Sequence, residues 1–484
     1  IIRVTILCIK SPRLQKEISM SVYNPINTAI LTQLTAVVSP ANISTAEAER
    51  QLRSHDMSQH APCMSEVVVW PTTAQQAADV LCIANENRVP VTAWGAGSSL
   101  EGNPIPLFGG ISLSMERMNH IIEVHANDFQ VTVEAGLGYK DLNAKLARYG
   151  LFFAPDPGAN ASIGGMLANN AAGSRTVKYG ATKDNVLAIE VALADGRLIQ
   201  TGARSIKQAS GYDLLHLFIG SEGTLGVITQ ATLKLMPVPT VMSSVVATFG
   251  TVATAVETVV AIRGSGLDVA ALEFIGAKSA AILSREHGLD WGEYPTLLME
   301  IHAAHAETAV LDIKLVREIC EELGAIRIHT TTDAAERKQM WTARHHNFET
   351  KVRVFPDYKW QLMDIAVPIS AYPELIAFIS QTLDFYGLEG MMIGHAGDGN
   401  LHVEMPYKDE VTRQSTLQAN DAIVDKAIAL DGTSSGEHGV GIGKAKFMDR
   451  EHGTAVAVMR ELKQTLDPKG ILNPGKIFPP KSEH

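Results

Sequence analysis

At 484 residues the chain is too long for one ordinary hydrophobic core, so two or three domains are expected. A formal charge of −11 argues against nucleic acid as the main ligand. Cys8, Cys63, Cys82 and Cys320 are scattered without a CxxC pair, which points to buried thiols in a reducing compartment and excludes a disulfide framework or a cysteine-built metal site.

The first nine residues are apolar but far too short to span a bilayer, and they lack the order of a signal peptide. Residues 1–19 read as upstream translation or a cloning remnant ahead of Met20. Ser44–His55 opens with an N-cap signal and is expected to be a short surface helix. Ser65–Trp70 reads as a strand stopped by Pro71. Thr73–Asn87 has helical apolar spacing, and Val89–Ala93 is a strand running into a glycine-rich loop. Val131–Ala135 is a further strand and Tyr139–Tyr149 a further helix. Residues 155–180 are mostly Gly, Ala, Ser and Asn, and such a long irregular stretch is expected to be functional. Val186–Leu193 and Leu198–Thr201 flank Asp195-Gly196 as a hairpin. Pro237 and Pro239 mark a boundary. From 240 to 330, strands alternate with amphipathic helices, and Leu417–Leu430 is a helix leading to the second histidine motif. The organisation is α+β. No segment is long and apolar enough to cross a membrane, so a cytoplasmic protein, at most peripheral to the inner face of a membrane, is expected.

Two motifs carry chemistry. Gly394-His395-Ala396-Gly397-Asp398-Gly399-Asn400-Leu401-His402 and Ser435-Gly436-Glu437-His438-Gly439 set three histidines and a glutamate among flexible residues. Imidazole and carboxylate together can hold a divalent metal, and a spare histidine can move a proton. Structural histidines in a glycine turn, or a solvated acid, would give the same letters. Three small-residue loops, 95–103, 156–165 and 220–229, need a ligand as well. Taken alone, the first is as readily a tight turn as a phosphate cradle, and its spacing is not GxGxxG. Three such loops together suit a long, flat, phosphate-bearing cofactor.

The ordered series PTTAQQ (71–76), WGAGSSLEGN (94–103), DPGANASIGG (156–165), NNAAGS (169–174), YGATKDNV (179–186) and GSEGTLGVIT (220–229) resembles the FAD-binding domain of the vanillyl-alcohol oxidase type. WTARH (341–345), DIAVPIS (364–370), GHAGDGNLH (394–402), SGEHGVGIGK (435–444) and LDPKGILNPGK (466–476) resemble the cap and C-terminal region of the same proteins. Over roughly 60–484 the chain is similar to FAD-dependent D-2-hydroxyacid dehydrogenases, including cytochrome-linked D-lactate dehydrogenases and the glycolate oxidase catalytic subunit.

The resemblance implies an N-terminal extension (1–60), a two-part FAD-binding domain (61–239), an α+β cap with an antiparallel sheet (240–445) and a C-terminal segment returning to the flavin (446–484). It places FAD against Gly95, Ala96, Gly97, Ser98, Ser99, Gly102, Pro155, Asp156, Ser162, Gly165, Asn169, Gly173, Ile228 and Asn473. The flavin is expected to be noncovalent, because 94–103 contains no histidine or cysteine. His395, His402 and Glu437 take the family's metal-ligand positions, with zinc, manganese and iron(II) all left open. His438 takes the place of the general base, and Arg344 that of a bidentate anchor for the substrate carboxylate. His345 and His346 are expected to be structural. The implied reaction is oxidation of a small D-2-hydroxy acid to the 2-oxo acid. Electrons would pass to a quinone, a cytochrome, an electron-transfer flavoprotein or an iron–sulfur subunit, and a homodimer stays open. Relatives acting on 2-hydroxyglutarate carry a lysine at the position of Leu362. Its replacement argues for lactate, glycolate or a longer aliphatic acid, although Lys359 is near and Glu404 is unusual. A 2-hydroxyglutarate-type enzyme, a metal hydrolase and a flavoprotein subunit of an electron-transfer complex are the rival readings.

Overall fold

Short apolar runs interrupted by glycine and proline build the first half of the chain. The computed structural model describes residues 23–478; the apolar start 1–19, with Cys8, lies outside the described residues. The first sheet runs in the order Ile43–Ser44, Val67–Val69, Ile111–Ser114, Val91–Trp94, the last three being mutually parallel. Val67, Val68 and Val69 are all fully buried, as a parallel strand covered on both faces requires. Helix Ala74–Asn87 packs beside this sheet, its start fixed by Thr73, whose hydroxyl accepts from the Gln76 N–H. A second, antiparallel sheet has the order Ile121–His125, Gln130–Glu134, Val227–Lys234, Val186–Ala192, Leu198–Gly202. It contains the expected hairpin, with Gly196 at φ 85° in its turn.

Three expectations are corrected. Ser44 does not cap a helix. It pairs with Val68 in the sheet, its hydroxyl accepts from the Ala46 N–H, and the helix is only Glu47–Leu52. The small-residue stretch 155–180 is not irregular throughout, because it holds the helices Ile163–Asn169 and Thr176–Tyr179. The helix before the second histidine motif begins at Glu410 rather than Leu417, capped by Asp409.

The third sheet is large and wholly antiparallel: Ala325–Thr331, Val241–Phe249, Thr296–Ala303, Ala271–Ile275, Met391–Gly394, Asn400–Tyr407, Lys359–Ala366. Side chains alternate between its faces. Leu272, Phe274, Leu297, Met299, Met363, Ile365, Leu401 and Val403 enter one core, covered by helices Val252–Gly264, Ala306–Glu322, Tyr372–Tyr386 and Glu410–Ala429. The interleaved residues Glu273, Glu300, His302, Asp364, His402 and Glu404 face the other way. On that side lie helices Ala277–His287, Ala334–His345 and Asn347–Val354, and the first two sheets. One face of the sheet therefore stabilises the domain and the other carries its polar chemistry.

Glu300 shows how the polar face is held. It meets His302 at 3.0 Å, Arg175 at 3.2 Å and Arg337 at 3.5 Å, so it ties the third sheet to the helix turn Thr176–Tyr179 of the first half. Burial alone would raise its carboxyl pKa. The His302 hydrogen bond and the Arg175 charge outweigh burial and hold it at about 2, against an ordinary 4.5. A carboxylate depressed on folding contributes stability above its unfolded pKa and loses it as pH falls through the folded one. The thermal midpoint is therefore expected to drop as pH goes from about 4.5 towards 2, by an amount on the order of 3 kcal/mol in stability. Glu300→Gln should flatten that limb in melts at stepped pH; parallel limbs would clear Glu300 of the effect.

Candidate active site

One long cavity runs between the first two sheets and the polar face of the third, and its atom-free space, with the open solvent at its mouth included, is about 1830 Å³. Gly95, Ala96, Gly97, Ser98, Ser99, Asp156, Ser162, Gly165, Asn169, Gly173, Ile228 and Asn473 line it from the first half and the C-terminal segment. Arg344, His395, His402, Glu437 and His438 line it from the cap. Two expected residues do not. Gly102 turns behind the loop, at φ 77°, where its N–H donates to Asp56 at 2.8 Å. Pro155 is buried outside the cavity wall. His345, expected to be structural, reaches the cavity, and so does Trp94 ahead of the glycine loop.

The glycine loop fits a phosphate-bearing cofactor. None of the backbone N–H groups from Ala96 to Ser99 donates to a protein acceptor among the described residues, so the loop presents a run of free donors to the cavity. Gly97 sits at φ 67° against the Trp94 indole, and a Cβ there would collide with the ring. The loop is pinned from behind by Glu222. This buried carboxylate accepts from Asn103 at 2.6 Å, Val440 N–H at 2.6 Å and Gly441 N–H at 2.9 Å. Asn473, at φ 41°, closes the same corner by donating to the carbonyls of Asn103 and Glu222. The Ile471 carbonyl accepts from the Val91 N–H and the Asn473 N–H donates to the Val91 carbonyl, which seats the C-terminal segment beside the first sheet.

The histidine motifs converge at the other end. Strand Met391–Gly394 delivers His395 and strand Asn400–Tyr407 delivers His402, and a tight turn joins the two. Glu437 Oε1 lies 3.4 Å from His395 Nε2 and 3.2 Å from His402 Nε2. Ligands bound at about 2.0–2.1 Å stand roughly 3.3 Å apart in a tetrahedral set, so these three atoms suit a common divalent ion. A second trio, Asp364, His402 and His438, is also close enough. It fits less well, because the Asp364 oxygens are spent on N–H groups of Glu437 at 2.8 Å and His438 at 2.9 Å, on Asn400 at 2.6 Å and on Ser435 at 3.2 Å. Burial disfavours charge on His395, but Glu273 and Glu437 outweigh it and raise its pKa well above the usual range. The point between those carboxylates calls for positive charge.

His438 stacks on His402 at 5.1 Å with rings 7° from parallel. Burial pushes its pKa down to about 4, with Asp364 opposing the shift, so the ring is neutral near pH 7 and keeps a nitrogen lone pair. Burial likewise lowers His345 to about 4.

Arg344 is buried, and its Nε/Nη2 edge is taken by Glu273 at 2.6 and 2.5 Å. The bidentate fork expected to face the substrate is thus already engaged, and only the Nη1 side is left for a ligand. Glu404, noted in the sequence as unusual, is charge-paired: it accepts from Asn347 and pairs with the fully buried Lys351. Lys359 is exposed and lies on the opposite face of its strand from Leu362, so it does not compensate for the missing lysine. Sequence reasoning missed Glu273, Asp364, Glu222 and Lys351. For Glu273 and Asp364 the available signal was an acid between apolar strand residues; Glu222 lies in a turn and Lys351 in a charged helix, and neither stood out.

Known proteins match this architecture. Residues 65–202 match the FAD binding domain family, and residues 238–477 match the C-terminal domain of FAD linked oxidases. The chain is 34% identical to the mitochondrial D-lactate dehydrogenase [cytochrome] of Arabidopsis thaliana, over 95% of this chain and 81% of that one. It is 34% identical to the glycolate oxidase subunit GlcD of Bacillus subtilis, over 92% and 96%. The structure of p-cresol methylhydroxylase with substrate bound superposes with a TM-score of 0.75 at 17% identity, covering 95% of this chain and 99% of that one, which bears on the fold alone. The chain, with its glycine-loop cavity and mixed α/β sheets, belongs to the family of FAD-linked oxidoreductases that includes these D-lactate dehydrogenase and glycolate oxidase proteins.

Proposed function

We propose that the protein oxidises a small D-2-hydroxy acid, of lactate or glycolate size, to the 2-oxo acid. The observation that carries this reading is the meeting of His395, His402, Glu437, His438 and Arg344 in the same cavity as the cofactor loop. The names of the Arabidopsis and Bacillus relatives support it. FAD, when bound, supplies the two-electron acceptor, and a divalent metal on His395, His402 and Glu437 would supply Lewis acidity towards the hydroxyl. His438 takes the hydroxyl proton at Nε2, while Asp364, 3.9 Å from Nδ1, stabilises the imidazolium. Arg344 holds the substrate carboxylate through Nη1. The flavin is held noncovalently, and its electrons pass on to a quinone, a cytochrome, an electron-transfer flavoprotein or an iron–sulfur subunit.

Anaerobic mixing with a panel of D- and L-hydroxy acids tests the assignment. A D-acid is expected to bleach the flavin, and treatment with a strong chelator to slow the bleaching; no bleaching by any 2-hydroxy acid would end the proposal. Leu362 pairs in register with Glu404, whose own cation Lys351 is committed to it. A distal carboxylate would therefore find no free cation there. D-2-hydroxyglutarate is expected to be oxidised roughly tenfold or more less efficiently than D-lactate in kcat/KM.

A further inference from the structure

We propose that Glu273 is a positioning residue that sets the substrate anchor and a metal ligand with a single carboxylate. It stands on Ala271–Ile275, the central strand of the seven-stranded sheet, and is fully buried. One oxygen, Oε2, accepts from Arg344, which reaches across from helix Ala334–His345. The other, Oε1, lies 2.7 Å from Nδ1 of His395, just past the end of the adjacent strand Met391–Gly394. A carboxylate can only accept, so Nδ1 carries the hydrogen and Nε2 keeps its lone pair. That lone pair faces Glu437 and His402, the arrangement in which a second carboxylate fixes a ligand's tautomer and ring plane. The same charge holds Arg344 in the cavity wall. Anchor and ligand therefore share one support, and the distance between the two grips on a hydroxy acid is built into one side chain. The inference rests on the reading of Arg344 and His395 given above.

Glutamine at this position separates the two jobs. Its carbonyl oxygen can serve one partner, but its amide then turns donors towards the other. Glu273→Gln, Arg344→Met and the double variant Glu273→Leu with Arg344→Met, whose leucine offers His395 no acceptor, each purified with FAD, are to be compared for zinc affinity, by competition with a chromogenic chelator, and for KM with D-lactate. Arg344→Met is expected to raise KM and leave zinc affinity within about twofold of wild type. Glu273→Gln should raise KM and weaken zinc binding about 10–100-fold. The double variant should keep the zinc defect, because His395 has still lost its acceptor. Recovery of zinc affinity in the double variant would mean that Glu273 only balances the Arg344 charge, and would overturn the proposal. Unchanged zinc affinity in Glu273→Gln, with wild type binding zinc, would overturn it while leaving the metal site standing; a wild-type protein that binds no zinc would overturn both. If Glu273→Gln does not fold, as judged by FAD content and thermal midpoint, Glu273→Asp keeps the charge but is one methylene too short to reach both partners. It should then show the zinc defect, and wild-type zinc affinity in it would count against the proposal in the same way.

Discussion

His438→Ala is expected to slow anaerobic flavin reduction by a D-2-hydroxy acid roughly 10²–10⁴-fold, the usual contribution of a positioned general base. The protein should keep its FAD, because the cofactor loop is supported by Asn103, Glu222 and Asn473 and not by this imidazole. The position of the ring is set by its own backbone. Its N–H donates to Asp364, its carbonyl accepts from Asn169 at 3.2 Å, and the ring lies flat on His402. Alanine leaves those backbone bonds in place, so the loss should fall on the proton step. Stopped-flow absorbance of the flavin reads it directly, and a reduction rate within a few-fold of wild type would remove His438 from the reaction.

Asp364→Ala should act first on stability, costing about 3–5 kcal/mol, as expected when one member of a buried charged cluster is removed. Asp364 is fully buried and gathers the Ser435–His438 loop onto the sheet through three donors, with Lys444 3.6 Å away. Without it, Lys444 loses its nearest counter-charge on that side, and the N–H groups of Glu437 and His438 lose their acceptor. Urea melts should show the full deficit, accompanied by loss of flavin reduction. A deficit under about 1 kcal/mol would show that the loop holds itself.

The legible parts of this molecule were those whose chemistry is local in the chain. The glycine loops, the hairpin at Asp195-Gly196 and the GHAGDGNLH turn each declare themselves within ten residues. The organising acids do not. Glu273 in Ala-Leu-Glu-Phe-Ile, Glu300 in Thr296–Ala303, Asp364 in Lys359–Ala366 and Glu404 in Asn400–Tyr407 each interrupt an apolar strand. Their partners are chosen by the sheet: Arg344 is 71 residues from Glu273, and Lys351 is 53 from Glu404. Period-2 alternation shows that such an acid sits on one face, but not which cation crosses to meet it. Ser44 misled for a different reason. A serine hydroxyl bonds to the N–H two residues on as readily as it caps a helix, and here it does the former. Between 155 and 180, small residues hid a helix whose cap, Ser162, accepts from the Gly165 N–H.

The corner at Glu222 joins stretches of chain that are made far apart in time. Its carboxylate holds Asn103 and the Val440–Gly441 turn, and its carbonyl is held by Asn473. A ribosome would place 370 residues between Asn103 and Asn473. The cradle for the cofactor is thus made well before its latch, and a nascent chain that stops short of Asn473 has the loop without the latch. Closure of the cofactor corner in this architecture waits for Asn473.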